Sequence, residues 1–212
     1  MHVVIVAGSS LAGELDAYLF NDADLVVAVD AGAEALTRVG LTPDVLIGDM
    51  DSISVATRLM MEARGVEVVL LETAKDETDT EAALRLAVDR GGEAVTVYGA
   101  LGGPRLDHLM GNLMLLASPW LEGVGVRMVD EQHEAFLVGG DVIFGGREGD
   151  IVSLLPLTPE VAAVRTIGLR YPLNGETLFR AATRGVSNAM TGPEARVTHG
   201  EGVLLLIHYR GR

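Results

Sequence analysis

Residues 45–71 read VLIGDMDSISVATRLMMEARGVEVVLL, and this stretch decides the fold. Val45–Ile47 is a short apolar run that ends at Gly48-Asp49. Val66–Leu71 is a second such run. Between them, Val55–Arg64 carries apolar residues at spacings of three and four, the mark of a helix with one buried face. Runs rich in valine and isoleucine, polar on neither face, are expected of strands covered on both sides. The unit therefore reads strand, helix, parallel strand. Working outward, Val3–Ala7, Leu25–Val29, Ala94–Tyr98 and Val126–Val129 repeat the strand pattern, and Ala31–Val39, Thr80–Arg90 and Leu106–Leu116 repeat the helical one. This alternation predicts a parallel sheet with helices on both faces. Met1–Gly8 lacks a basic leader region and reads as the first strand, not a signal peptide.

The character changes after about Asp130. Ala135–Val138, Asp141–Phe144, Ile151–Leu155, Ala163–Ile167, Thr177–Ala181, Ala195–His199 and Val203–Tyr209 are short alternating runs. Turn residues separate them, among them Gly139-Gly140, Gly145-Gly146, Asn174-Gly175 and Gly192-Pro193. That spacing predicts an all-β sandwich or barrel. The expected fold is a Rossmann-like α/β domain over residues 1–131, followed by a smaller β-sandwich over 132–212.

Composition narrows the function. The chain has 212 residues, enough for a real core, with 49% hydrophobic and 22% charged residues. No apolar run is long enough to cross a bilayer. A formal net charge of −14 argues against nucleic acid and anionic membrane surfaces, whose phosphates it would repel. The chain has no cysteine, which excludes a disulfide framework and a thiol nucleophile and suits a reducing cytoplasm. Lys75 is its only lysine and stands in its most acidic motif, where a flexible point charge can serve a phosphate.

In a parallel α/β sheet, ligands bind beyond the carboxyl ends of the strands. Here those ends are acidic or glycine-rich. Asp30 follows the second strand run and Asp49 and Asp51 the third. Lys75, Asp76 and Asp79 follow the fourth, and Gly99–Gly103, Arg105 and Asp107 the fifth. Asp49 and Asp51 can share a magnesium ion that leaves positions for phosphate oxygens; the plainer reading is that Asp51 or Ser52 caps the next helix. Thr78 and Glu81 form a capping-box pattern, so Asp79 can be a first-turn acid or complete the metal site. Crowding Asp76, Glu77 and Asp79 would be unfavourable without a cation. Gly102 and Gly103 let the backbone approach a nucleotide, and Arg105 can neutralise a transferring group; the plainer reading is a Gly-Pro turn. No P-loop pattern occurs, and Gly8-Ser9-Ser10-Leu11-Ala12-Gly13 is too loose for a dinucleotide fingerprint.

Taken in order, these segments resemble the thiamine pyrophosphokinase family. The resemblance runs through Asp30-Ala31-Gly32-Ala33, Pro43–Ser52, Lys75-Asp76-Glu77-Thr78-Asp79 and Gly99–His108, then Ser153–Leu157 and Arg184-Gly185-Val186-Ser187-Asn188. Ala31 stands where the family has glycine, Glu34 where asparagine is common, and Pro104 lengthens the Gly-Gly-Arg spacing by one residue. The resemblance implies an α/β domain and a β-sandwich, assembled as a cytoplasmic homodimer with the active site between subunits. It implies magnesium on Asp49, Asp51 and Asp79, and ATP near Asp30, Gly32, Lys75, Thr78, Gly102, Gly103 and Arg105. It implies thiamine near Ser187, Asn188 and Arg184; from the residues alone, Ser187-Asn188 reads as a turn between strands. Asp51, Asp107, Arg105 and Lys75 are the catalytic candidates, with Asp51 and Asp107 both open as the base.

The implied reaction is transfer of pyrophosphate from ATP to the thiamine hydroxyl, giving thiamine diphosphate and AMP. A cation bridging acidic protein and acidic substrate would reconcile the net charge with a nucleotide. Three alternatives are a pyrophosphokinase acting on a pterin alcohol, a phosphohydrolase using the Asp-x-Asp pair, and a non-catalytic thiamine diphosphate sensor.

Overall fold

A computed structural model describes residues 1–8, 15 and 17–211. Beyond Gly8, the loose glycine segment expected at the first strand–helix turn lies outside the described residues. The chain divides into two compact units, Met1–Glu131 and Gln132–Arg212.

Among the described residues the first unit carries six strands: β1 (His2–Val6), β2 (Leu25–Val29), β3 (Val45–Gly48), β4 (Glu67–Leu70), β5 (Ala94–Tyr98) and β6 (Gly125–Val129). They run parallel in the order β6-β5-β1-β2-β3-β4. β1 and β3 are buried almost throughout, whereas β4, at the edge, is half exposed. This is why the central strands read as unbroken apolar runs. The α-helices described between them are α1 (Gly32–Arg38), α2 (Val55–Ala63), α3 (Asp79–Asp89) and α4 (Leu106–Leu115). Chain order runs outward one way from β1 through β4 and then jumps to β5 on the other side. The reversal is a switch point, and because all strands are parallel, their carboxyl ends share one rim.

The second unit is antiparallel. Its strands are β7 (His133–Val138), β8 (Asp141–Gly145), β9 (Ile151–Pro156), β10 (Glu160–Ile167), β11 (Asn174–Phe179), β12 (Asn188–Ala189), β13 (Glu194–Thr198) and β14 (Leu204–Tyr209). They form two sheets, β12-β9-β14-β7 and β11-β10-β13-β8. Phe136, Val152, Leu154, Leu204 and Leu206 of one sheet share a core with Phe144, Val161, Val164, Leu178 and Val197 of the other. Alternate residues of each strand point inward, as in a sandwich.

Two expectations are corrected. Asn174-Gly175 does not form a turn but opens β11, with Gly175 at φ +101°. β10 begins at Glu160, not Ala163: its pairing with β11 shifts register between Val161 and Val164, and Ala163 takes φ +54°. Such a bulge breaks the alternation that a sequence pattern relies on. The two-residue β12 is too short to leave a pattern at all.

Candidate active site

Four of the strand–helix corners on the shared rim carry the polar residues. At the end of β2, Asp30 adopts a left-handed conformation, φ +44°. Its backbone N–H donates to the Ile47 carbonyl at 3.0 Å, and its Oδ1 accepts the Met50 N–H at 3.0 Å. The side chain is buried, with only 6% of the residue exposed. Room for it comes from Gly48. A Cβ there would lie 1.9 Å from Asp30 Oδ1, and the φ of +152° is one that L side chains rarely adopt.

Asp30, Asp49 and Asp79 each present a carboxylate oxygen, and the three oxygens lie within 4.8 Å of one another. Burial is the main force that pushes Asp30 up to about 6, and the charges of Asp79, Asp49 and Asp51 add to it. Asp79 Oδ1 is buried and lacks a well-directed hydrogen bond, although Lys75 Nζ forms an ion pair with it at 2.9 Å. Three converging carboxylates, one oxygen of them buried with the Lys75 ammonium beside it, are the donor set of a hard divalent cation such as magnesium. The residues present fit that ion.

Asp51 stands differently from the expectation. It is exposed, and the three-carboxylate group contains Asp30 in its place. Alternate residues of an extended segment point the same way, but Met50 is left-handed at φ +65°, which breaks the alternation between Asp49 and Asp51. Asp51 stays close: its N–H donates to Asp49 Oδ1 at 3.1 Å, and the Asp49 charge raises its carboxyl above the ordinary value. Asp76 and Glu77 are exposed and outside the group, so the expected crowding comes from Asp30 and Asp49 instead.

Of the capping readings, that of Thr78 holds beside the functional one, whereas α2 is capped by Ser54 and not by Asp51 or Ser52. Thr78 caps α3, its Oγ1 accepting the Glu81 N–H at 3.2 Å, and Ser54 caps α2. Asp79, in the first turn of α3, still faces Asp30 and Asp49. Lys75 also donates to the Glu72 carbonyl at 3.1 Å, and its partners raise its already high pKa. Its ammonium is thus held charged beside the carboxylates.

The Gly99–Gly103 loop leaves β5 with Gly99 and Gly103 at φ +77° and +96°. The buried Asn112 of α4 donates its side-chain amide to the Ala100 carbonyl at 2.9 Å and so fastens this loop to the helix that follows. Sequence reading missed Asn112; a polar residue on the apolar face of a helical pattern was the available signal. Arg105 and Asp107 form a two-pronged ion pair at 2.8 and 2.5 Å on the exposed start of α4. Arg105 holds the Asp107 carboxyl well below the usual carboxylate range. Gly32 serves packing: a Cβ there would sit 2.0 Å from the Val6 carbonyl oxygen.

In the second unit, Arg184 pairs with Glu176 at 3.3 Å. Gly185 lies against β9, its carbonyl accepting the Leu154 N–H at 2.9 Å, and a Cβ would come 2.2 Å from the Leu154 carbonyl oxygen. Ser187 is left-handed, φ +61°, and its N–H donates to Ser153 Oγ at 3.1 Å. Asn188 uses both ends of its amide on the Tyr171 backbone, accepting from N–H at 2.9 Å and donating to C=O at 2.7 Å. The segment is therefore a braced turn that leads into an edge strand, as the residues alone suggested.

Comparison with known proteins bears on both units. The model of the thiamin pyrophosphokinase catalytic domain matches residues 17–128, and that of the family's vitamin B1 binding domain matches residues 141–204. The chain is 28% identical over 207 residues to a thiamine pyrophosphokinase of Bacillus subtilis, covering 96% of each. It superimposes on the crystal structure of thiamine pyrophosphokinase from Bacillus subtilis with a TM-score of 0.90, at 26% identity and over 100% of both chains. The enzyme from Geobacillus thermodenitrificans gives a TM-score of 0.85 at 28% identity, over 100% of this chain and 98% of that one.

Proposed function

The chain belongs to the thiamine pyrophosphokinase family, and from that membership we propose that it transfers the pyrophosphoryl group of ATP to the hydroxyl of thiamine, releasing AMP. The observation that carries this reading is the pair of family matches, one over each unit, so that catalytic and vitamin-binding halves are both accounted for.

ATP is assigned to the rim of the first unit and thiamine to the second. A magnesium ion held by Asp30, Asp49 and Asp79, with Asp51 beside them, would supply charge neutralisation for the phosphates. The residues supply the rest. Lys75, charged and next to Asp79, offers an ammonium to a phosphate. The backbone of Gly99–Gly103 leaves space for close approach of the nucleotide, and Arg105 adds a second cation. In the displacement, the thiamine oxygen bonds to the β-phosphorus as the bond from that phosphorus to the α–β bridging oxygen breaks. AMP departs with that oxygen. The hydroxyl proton needs an acceptor. Asp51, raised by Asp49, accepts one more readily than Asp107, which its ion pair with Arg105 keeps ionised. Asn188, committed to Tyr171, braces the thiamine segment; Ser187 and Arg184 are the side chains there that can turn to a ligand.

We assign the chain to a homodimer. In support, Leu106, Met110 and Met114 are exposed at spacings of four along α4, a stripe that a second subunit would cover. No helix among the described residues is long and apolar enough to cross a membrane. A cytoplasmic setting, where ATP is supplied, goes with this reading.

The test is to incubate the purified protein with ATP, magnesium and thiamine and to follow AMP and thiamine diphosphate together. Equal formation of both, lost without thiamine or magnesium, is expected. ADP in place of AMP would make it a simple kinase, free phosphate a hydrolase, and ligand binding without turnover a sensor.

A further inference from the structure

The turn between β3 and α2 carries Asp49 and Asp51, and both of its ends are held from one corner of the sheet. Asp30 Oδ1 takes the Met50 N–H at 3.0 Å, and Glu34 Oε1 takes the Ser54 N–H at 2.9 Å. Asp30 lies two residues before the start of α1, and Glu34 lies in the first turn of that helix, four residues on. Ser54 is the cap of α2: its Oγ accepts the Thr57 N–H at 3.2 Å and its hydroxyl donates to Thr57 Oγ1 at 2.9 Å. The side chain of Ser54 thus engages Thr57 of its own helix, and its backbone N–H donates to Glu34. The Ser54 bonds hold the Glu34 carboxyl below its ordinary value, so it is an anion and the bond is charge-assisted. The chain between the two anchors includes the left-handed Met50, a conformation with a cost of its own that persists only where its surroundings impose it.

We propose that Glu34 is a positioning residue for the phosphoryl-transfer site: by gripping Ser54 N–H it fixes the far end of the 49–54 turn and so sets Asp49 and Asp51 against Asp30 and Asp79. The inference rests on the metal-site reading above. Glu34 touches neither substrate nor ion; it acts through the turn. An outer partner of this kind commonly contributes about 10- to 100-fold to metal affinity.

The experiment measures Mn²⁺ binding to the nucleotide-free, full-length protein by electron paramagnetic resonance, together with thermal midpoints, for wild type, Glu34→Ala, Glu34→Gln and Asp49→Asn. Glu34→Ala is expected to weaken Mn²⁺ binding by about tenfold or more. Glu34→Gln keeps a carbonyl acceptor for the Ser54 N–H and should bind Mn²⁺ like the wild type. Wild-type Mn²⁺ affinity in Glu34→Ala, even with a lowered thermal midpoint, would overturn the proposal and leave Glu34 a mere brace of α2. Equal loss in both Glu34 variants would also overturn it, because charge and not the bond would then matter. Asp49→Asn separates the layers: undiminished Mn²⁺ binding there would overturn the metal reading itself and this inference with it.

Discussion

Asp30 is the residue on which the acidic rim turns. The sequence places it alone after the second strand run, and it reads there as a nucleotide contact. Its membership of the carboxylate group depends on β2 and β3 lying side by side, which brings together residues 19 apart in sequence. Spacing along the chain cannot disclose that. The Asp-x-Asp pair was legible, but not that Met50 would turn left-handed and leave Asp51 outside the trio. In the metal-free protein Asp30 keeps its proton up to about pH 6, against an ordinary 3.8. Between those values the folded state holds a proton that the unfolded chain has released. Stability of the metal-free protein should therefore fall as pH rises from about 4 to about 6 and level off above. A cation competes with the same proton, so Mn²⁺ affinity should be flat above pH 6 and drop below it by up to about tenfold per unit. Asp30→Asn should abolish that dependence in a titration series. Lys75 gives a second test at this scale. Its ammonium occupies Asp79 in the absence of other cations. Lys75→Met should bind Mn²⁺ more tightly without nucleotide and ATP more weakly; calorimetry reads both, and unchanged values would remove Lys75 from the site.

At the scale of elements, the strands of the first unit were legible because four of the six are flanked on both sides within the unit and are almost wholly apolar. The helices were legible from their three- and four-residue spacing and, for α3, from the cap at Thr78; the cap of α2 fell two residues beyond Ser52, at Ser54. The strands of the second unit were legible by alternation except where a bulge at Ala163 or the brevity of β12 removed it. The two-ended amide bond from Asn188 to Tyr171 left no trace in the sequence, since any asparagine beside a turn looks the same. The junction of β3 with its turn makes a sharper prediction. Gly48→Ala puts a methyl group into the Asp30 carboxylate and forces an L residue into φ +152°. The strain alone costs of order 1–3 kcal/mol, and thermal unfolding should show it. Combining Gly48→Ala with Asp30→Ala should restore part of the loss, because the clash is removed while the backbone strain stays. Strict additivity in that double-mutant cycle would mean that Gly48 does not make room for Asp30.

At the scale of the molecule, the proposed function would have an acidic chain of net charge −14 handle a polyanionic substrate by concentrating its acids where a cation can join the two. The rim at the switch point of the parallel sheet gathers those acids, and the sandwich carries the half that matches the vitamin-binding model. Asp49→Asn should abolish turnover and leave the thermal midpoint close to wild type, since Asp49 is only partly buried at the rim; activity with circular dichroism checks both. The most direct measurement uses ATP labelled at its β-phosphorus in a single turnover with thiamine. The label is expected in thiamine diphosphate, with unlabelled AMP as the only nucleotide product. Label retained in ADP, with the thiamine carrying a single phosphate, would contradict it.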